Sequence, residues 1–187
     1  KTRTAAAQGA QVATTIAELC EFSDIVMLCV SDTAAVKEVV SADNGLLKHL
    51  KSGTIVIDFS SIDPESTREF AALVAEKSCC WLDSPVSGGV AGAEQGTLAI
   101  MAGGDIEALA SVRPILQVLS QSITRMGDVG AGQVTKICNQ MIVSCNVLVM
   151  AEVMALAEKS GVDSALIPQA LKGGFADSIP LQLTGPR

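Results

Sequence analysis

Short, continuous apolar runs alternate with longer segments of helical periodicity through the first two thirds of the sequence. The runs Ile25–Val30 and Thr54–Phe59 are bounded by polar residues. Their length and composition are typical of strands that are buried on both faces. Shorter runs of the same kind follow at Trp81–Asp83, Leu98–Ala102 and Ile123–Met126. Because strands that alternate with helices form βαβ units, the sequence predicts an α/β fold with a mostly parallel, doubly wound sheet of the Rossmann type.

The segments between these runs carry helix signals. Helices are predicted at about 10–22, 34–40, 65–78 and 105–119. In parallel sheets, ligands bind at the carboxyl ends of the strands. Four polar or glycine-rich segments follow the predicted strands, at 31–32, 60–61, 84–89 and 103–104. We therefore expect a ligand cleft at this edge of the sheet.

The pattern changes after Gly132. No helix breaker occurs from Gln133 to Ser160, which predicts one helix of about 28 residues and about 42 Å. Apolar residues lie on nearly all of its faces, so we expect this helix to be buried nearly all round. No stretch of about 18 residues is uninterruptedly apolar, so no membrane-spanning helix is predicted. We expect a partial dinucleotide-binding domain at 1–128 and the start of an all-helical domain at 129–187.

Composition argues against two classes of function. The net charge is −7 and aromatic residues make up 3% of the chain. Binding to a nucleic acid needs basic residues for the phosphates and often aromatic rings for the bases, so no nucleic-acid partner is expected. The six cysteines contain no CxxC pair and His49 is the only histidine, so no metal site is expected either.

A small-residue segment follows the third predicted strand. In Ser87-Gly88-Gly89, two successive glycines allow neighbouring backbone N–H groups to converge on an anion, and the serine hydroxyl adds a donor. This segment, called the Ser-Gly-Gly segment below, is a candidate site for a carboxylate or a phosphate. A flexible turn without a ligand is the alternative.

Lys136 lies about one turn into the long apolar helix. The glycines before it have the order GxxGxG, which is neither a dinucleotide fingerprint nor a P-loop. A buried lysine has a lowered pKa, as proton transfer near neutral pH requires; the alternative is a lysine that extends to the surface. Asn139 and Gln140 follow at helical spacing and are candidate substrate contacts, or else amides satisfied within the core.

Residues 83–104 and 127–140, together with Ile57–Pro64, resemble the β-hydroxyacid dehydrogenase family, and the resemblance covers essentially the whole chain. It implies hydride transfer between NAD or NADP and a small β-hydroxyacid or semialdehyde. It implies Lys136 as the catalytic acid and base. The implied substrate-binding residues are Ser87, Gly88, Gly89, Asn139 and Gln140. The implied residues of the nicotinamide-cofactor cleft are Val30, Ser31 and Ser61.

The sequence also departs from the family pattern. Ser61 stands where the family usually has Thr, Ser31 where it often has Pro, and Gln140 where it often has Asn. The N-terminal GxGxxG unit and the last C-terminal helices of the family are missing, so we expect this stretch alone to bind cofactor weakly and to be inactive. The resemblance favours the tartronate semialdehyde reductase branch, with 3-hydroxyisobutyrate dehydrogenase as the alternative. The long apolar helix suggests burial against the remaining C-terminal helices of the family or against a partner subunit, and we expect a homo-oligomer that forms through the helical domain. The six cysteines are typical of reduced thiols, which predicts a cytoplasmic location. A non-catalytic binding or dimerisation module on the same fold is an alternative of another class.

Overall fold

The computed structural model describes residues 2–185. They form two compact units, one that ends at Lys136 and one that begins at Ile137. The domain ranges 1–128 and 129–187 stay a prediction. The ends of those ranges, Lys1 and residues 186–187, lie outside the described residues.

The first unit is built around a sheet with helices on both sides. Its strands are β1 (Ile25–Leu28), β2 (Ile55–Asp58), β3 (Cys80–Asp83), β4 (Val86–Ser87), β5 (Leu98–Gly103) and β6 (Ser120–Gly127). Its helices are α1 (Thr2–Ala7), α2 (Ile16–Glu21), α3 (Thr33–Ser41), α4 (Leu46–His49), α5 (Pro64–Ala75), α6 (Gly89–Gln95) and α7 (Ile106–Leu119). The long helix α8 (Ala131–Lys159) begins in this unit.

The sheet has the strand order β1-β2-β3-β5-β4, and β6 pairs with β5. Strands β1, β2 and β3 are parallel, as are β5 and β6. Strand β5 runs antiparallel to both β3 and β4. The predicted α/β fold with a mostly parallel sheet is therefore confirmed. Because β1, β2 and β3 run the same way, the segments after them meet at one edge of the sheet.

Side chains of the central strands alternate between two apolar cores. Val56 of β2 and Trp81 of β3 belong to one core, together with Phe70 of α5. Their neighbours Ile57 and Leu82 belong to the other core, where they pack with residues of α7. Successive residues of a strand point to opposite faces, so a run that is apolar at every position needs a core on each side.

Three local features differ from the sequence prediction. Helix α2 starts at Ile16 rather than near residue 10, because Thr15 caps it. The Thr15 hydroxyl accepts from the Glu18 amide at 3.1 Å, and the Glu18 carboxylate accepts from the Thr14 amide at 2.7 Å. Helix α4 was not predicted. Between the predicted strands Trp81–Asp83 and Leu98–Ala102, where no element was predicted, the chain forms β4 and α6.

The second unit contains most of α8, a 3-10 turn at Ser164–Leu166, α9 (Ile167–Leu171) and α10 (Ile179–Thr184). The expectation that the long helix is buried nearly all round is wrong for this structure. Large apolar side chains of α8 are exposed: Met141, Ile142, Leu148, Val149 and Leu156. The reason is geometric, since helices of five and six residues are too short to cover a helix of 29.

Helix α8 also bears on the membrane prediction. By length and composition alone it could cross a membrane, with a mean hydropathy of 1.7 over its most apolar stretch, of which 11% is buried. Ser144, Asn146 and Glu152 interrupt the apolar sequence of α8, but they do not lower its mean hydropathy enough to exclude a membrane span on that ground. A single helix of this kind is weak evidence, since a long core helix of a water-soluble protein passes the same test.

Candidate active site

The Ser-Gly-Gly segment joins β4 to α6 at the edge of the sheet. Ser87 is half-buried and pairs with Ala99 of β5, which fixes its backbone. Gly88 has φ +132° and Gly89 has φ +63°, values that favour glycine at both positions. The two glycines are exposed, so their surface is accessible to a small molecule.

The side chain of Lys136 reaches this segment. Its Nζ donates a hydrogen bond to the carbonyl oxygen of Val86 at 2.8 Å, and Val86 directly precedes Ser87. The lysine is half-buried, and burial lowers the pKa of its ammonium group below the usual 10.5 because water is removed from the charge. A proton-transfer group thus lies next to the candidate anion site.

The segment after β2 presents Ser61 to solvent between two buried residues, Ser60 and Ile62. The Ser60 hydroxyl accepts from the Val30 amide at 3.0 Å, which ties the end of β1 to the end of β2. Ser31 is exposed, and its hydroxyl donates to the Asp32 carboxylate at 2.9 Å. The three residues predicted for the cofactor cleft therefore lie on two neighbouring parallel strand ends.

Two fully buried carboxylates, Asp58 and Asp83, end β2 and β3 and lie opposite each other in the strand register. Asp58 Oδ1 accepts from the Ser60 amide at 2.9 Å. Burial raises the pKa of Asp58 to about 6, with a smaller contribution from the charge of Asp83. Burial also raises the pKa of Asp83, against the opposing effect of amides that donate to it.

The Asp83 carboxylate holds the start of α8. It accepts from the Gly130 amide at 2.8 Å and from the Gln133 amide at 3.0 Å. A carboxylate that accepts backbone N–H groups at a helix start satisfies donors that would otherwise lack partners. Gly132 directly precedes Gln133, and a Cβ there would lie 2.6 Å from the Asp83 carbonyl oxygen, so this close approach requires glycine.

The side chain of Gln133 is the second link from α8 to the sheet. It is buried, with 1% of its surface exposed. Its Nε2 donates to the Ser60 carbonyl at 2.8 Å, and its Oε1 accepts from the Ile62 amide at 3.1 Å. Gln133 was not among the site residues predicted from the sequence. The signal that could have identified it is a large polar side chain in the first turn of a helix with apolar neighbours.

The structure brings together some of the predicted residues. Lys136 and the Ser-Gly-Gly segment meet through Val86, and the cofactor-cleft residues Val30 and Ser61 are linked through Ser60. Asn139 and Gln140 belong to the second unit, where Asn139 Nδ2 donates to Gln140 Oε1 at 2.9 Å.

Two family models match the chain. The model of the NAD-binding domain of 6-phosphogluconate dehydrogenase matches residues 1–127. The model described as NAD-binding of NADP-dependent 3-hydroxyisobutyrate dehydrogenase matches residues 130–187. The chain belongs to the β-hydroxyacid dehydrogenase family. Members of this family are NAD(P)-dependent oxidoreductases, so the predicted cofactor, NAD or NADP, is confirmed at the level of the family.

Curated proteins of the family align with nearly the whole chain. The chain is 42% identical over 179 residues to the 2-hydroxy-3-oxopropionate reductase of Escherichia coli K12, and covers 61% of that enzyme. It is 38% identical over 179 residues to the 3-hydroxyisobutyrate dehydrogenase of Pseudomonas aeruginosa, and covers 60% of it. Each alignment includes 96% of the chain. The chain therefore spans about three fifths of the length of these relatives.

Solved structures show the same fold. The 3-hydroxyisobutyrate dehydrogenase of Mycobacterium tuberculosis, solved with L-serine, superimposes with a TM-score of 0.89 at 32% identity, over 99% of this chain and 62% of that one. Psf3, solved with NADP+ and 2-OPP, gives a TM-score of 0.89 at 30% identity, over 97% of this chain and 64% of that one.

Proposed function

We propose that the full-length protein with this sequence transfers a hydride between NAD(P)(H) and a small β-hydroxyacid or its semialdehyde. Tartronate semialdehyde, which is 2-hydroxy-3-oxopropionate, is the first candidate substrate, since the relative that carries this name is 42% identical. The semialdehyde of 3-hydroxyisobutyrate is the second candidate, because a 3-hydroxyisobutyrate dehydrogenase is 38% identical.

The observation that carries this proposal is the contact between Lys136 Nζ and the Val86 carbonyl, 2.8 Å apart, at the start of the Ser-Gly-Gly segment. In the reductive direction, Lys136 as ammonium gives its proton to the oxygen of the aldehyde while the carbonyl carbon is reduced. In the oxidative direction, the neutral amine takes the proton from the hydroxyl group. The pKa of Lys136 is lowered by burial, which increases the fraction of neutral amine near neutral pH.

The Ser-Gly-Gly segment is proposed to bind the substrate carboxylate. The Ser87 hydroxyl and the amides of Gly88 and Gly89 are donors of the kind that an anion requires. A carboxylate fixed there orients the rest of a small substrate, which is catalysis by positioning. Asn139 and Gln140 are proposed as further contacts for substrate oxygens, by the resemblance to the family.

The strand ends fit a nicotinamide cofactor. Val30, Ser31 and Ser61 lie where two parallel strands end, which is the edge at which such sheets bind dinucleotides. The exposed hydroxyls of Ser31 and Ser61 can donate to or accept from a carboxamide or a ribose. When bound, the cofactor supplies or accepts the hydride.

The test is an assay of the purified full-length protein, with absorbance of NADH and of NADPH followed in the presence of tartronate semialdehyde or methylmalonate semialdehyde. Lys136→Ala is expected to lower kcat by about 10²- to 10⁴-fold, the usual contribution of general acid–base catalysis. In the oxidative direction, the rate should rise with pH to a plateau, with a midpoint below 10.5.

The matched control is Lys159→Ala, which removes an exposed lysine from the last turn of the same helix and should leave kcat unchanged. A loss of less than about tenfold in Lys136→Ala would contradict the acid–base role. No turnover with either aldehyde and either cofactor would favour another β-hydroxyacid or the non-catalytic alternative.

The exposed apolar face of α8 supports a homo-oligomer that forms through the helical domain. We propose this assembly, and a cytoplasmic location, for the full-length protein. Light scattering of the purified protein tests the assembly, and a monomeric mass would contradict it.

A further inference from the structure

We propose that Gln133 is a positioning residue whose side-chain amide fixes the segment around Ser61 to the helical turn that carries Lys136. This inference rests on the proposed function, because it concerns how the cofactor side and the proton-donor side of that site are held in register. It assigns to Gln133 no contact with substrate or cofactor.

The first argument is the pair of bonds that the amide makes. Nε2 donates to the carbonyl of Ser60 at 2.8 Å and Oε1 accepts from the amide of Ile62 at 3.1 Å. These two backbone groups stand immediately before and after Ser61. The one side chain therefore holds the backbone on both sides of an exposed residue, and a residue with only a donor or only an acceptor could not do so.

The second argument is the position of Gln133 on α8. Lys136 follows it by three residues, less than one helical turn later, and donates to the Val86 carbonyl at 2.8 Å. The backbone amide of Gln133 donates to Asp83 at 3.0 Å, so the same residue is held at the end of β3 as well. The ends of β2 and β3 are thus joined through one helical turn.

The third argument is burial. Gln133 is 1% exposed, so water does not compete effectively for its bonds or replace them when they are lost. Its partner Ser60 is buried too, and is itself held by the Asp58 carboxylate through the Ser60 amide. The end of β2 is therefore linked to α8 by a continuous network of buried hydrogen bonds.

The variant that tests this is Gln133→Leu in the full-length protein, since leucine has similar size and neither donor nor acceptor. The first measurement is amide hydrogen exchange, which needs neither substrate nor cofactor. We expect the amide of Ile62, which donates to Gln133 in the wild type, to exchange at least about tenfold faster in the variant, because it has lost its acceptor and the segment is no longer held at Ser60. Amides of β1 should be unaffected.

The second measurement is kinetic, with the cofactor deuterated at the transferred position. We expect kcat to fall about 10- to 100-fold with KM changed less than about threefold, as misplacement of reacting groups requires. The isotope effect on kcat should increase, because hydride transfer becomes more rate-limiting. A merely structural role would reduce the amount of active protein and leave the isotope effect as it is.

The matched control is Thr135→Val, which removes a half-buried hydroxyl from the same turn; that hydroxyl bonds only within the helix, to the Ala131 carbonyl at 2.7 Å. It should behave as the wild type in both measurements. If Gln133→Leu does not fold, as Trp81 fluorescence would show, Gln133→Met decides. Methionine has the length of glutamine and a flexible apolar side chain, so it fills the same buried space without the donor to Ser60 or the acceptor for Ile62, and both readouts should move in the same direction.

The proposal is overturned if a folded Gln133 variant shows unchanged exchange at the Ile62 amide, or faster exchange there with unchanged kcat and isotope effect. A failure of the proposed function is a separate result, because it appears as absent turnover in the wild type. In that case the exchange measurement alone decides whether Gln133 holds the segment around Ser61.

Discussion

Asp58 should make the folded state less stable as the pH rises through the weakly acidic range. Burial raises its pKa from the usual 3.8 to about 6, so the folded state binds this proton more tightly than the unfolded chain does. Below 3.8 both states are protonated and the effect is absent; above about 6 both are ionised and the penalty is complete. At 1.36 kcal/mol for each pH unit, this difference corresponds to about 3 kcal/mol.

The variant Asp58→Asn isolates this contribution. Asparagine keeps an oxygen for the Ser60 amide, which now bonds to Asp58 Oδ1 at 2.9 Å, but it cannot ionise. Urea unfolding followed by the fluorescence of Trp81, the single tryptophan, reports on the sheet that contains Asp58. The free energy of unfolding of the variant minus that of the wild type should rise by about 3 kcal/mol from pH 3.5 to pH 7 and stay level above that.

Asp63→Asn is a control with the opposite sign. Asp63 caps α5, and its pKa is lowered by hydrogen bonds from Ser66, so its contribution is present at neutral pH and is lost on acidification. The variant-minus-wild-type difference should therefore become more negative as the pH rises. For Asp58→Asn, a difference that is constant between pH 4 and pH 7 would refute the argument that burial holds its proton.

Two further predictions concern stability. Leu82→Ala removes a fully buried side chain between β3 and α7, and should lower the free energy of unfolding by about 2–5 kcal/mol in urea. Gly132→Ala introduces a Cβ 2.6 Å from the Asp83 carbonyl oxygen, so the start of α8 must shift. We expect a lower Tm by calorimetry and a lower kcat. The control is Gly53→Ala, where a Cβ meets no atom within 4 Å, and it should change only Tm.

The strands and the lysine could be predicted because their signals are local. The runs that contain β1 and β2 are apolar at successive positions, and a chain can bury such a run only between two layers. Lys136 is a charge in an apolar helix, which is conspicuous in any single sequence. The expectation that Lys136 and the Ser-Gly-Gly segment belong to one site followed from the family resemblance rather than from spacing.

The partners of Asp83 and Gln133 could not be assigned from the sequence, because they are backbone groups. Asp83 bonds to the amide of Gly130, which is 47 positions away, and Gln133 bonds to the carbonyl of Ser60, 73 positions away. Every residue has such groups, so nothing in the sequence marks the ones that are used. Strand β4 has two residues and no periodicity to detect.

The exposed apolar side chains of α8 show a second limit of prediction from the sequence. Hydrophobic periodicity indicates that a face is apolar, and it carries no information about which element covers that face. In the second unit, Ala157 and Leu181 are buried where the short helices pack, whereas Leu148 and Leu156 are exposed. The error in the prediction was the step from an apolar surface to a buried one.

The buried polar groups at the ends of β2 and β3 lower the stability of the fold and also fix the geometry of the candidate site. Among the described residues, Asp58 Oδ2 and Ser84 Oγ are buried without a hydrogen-bond partner, at the ends of β2 and β3. Such groups destabilise a fold. Yet the other oxygen of Asp58 holds Ser60, which in turn accepts from Val30 and from Gln133. A charged acceptor bonds an amide more strongly than a neutral one. The ionised Asp58 therefore lowers the stability of the fold and at the same time fixes the backbone around Ser61. Asp58→Asn should stabilise the protein at neutral pH and weaken the hydrogen bond from the Ser60 amide to residue 58.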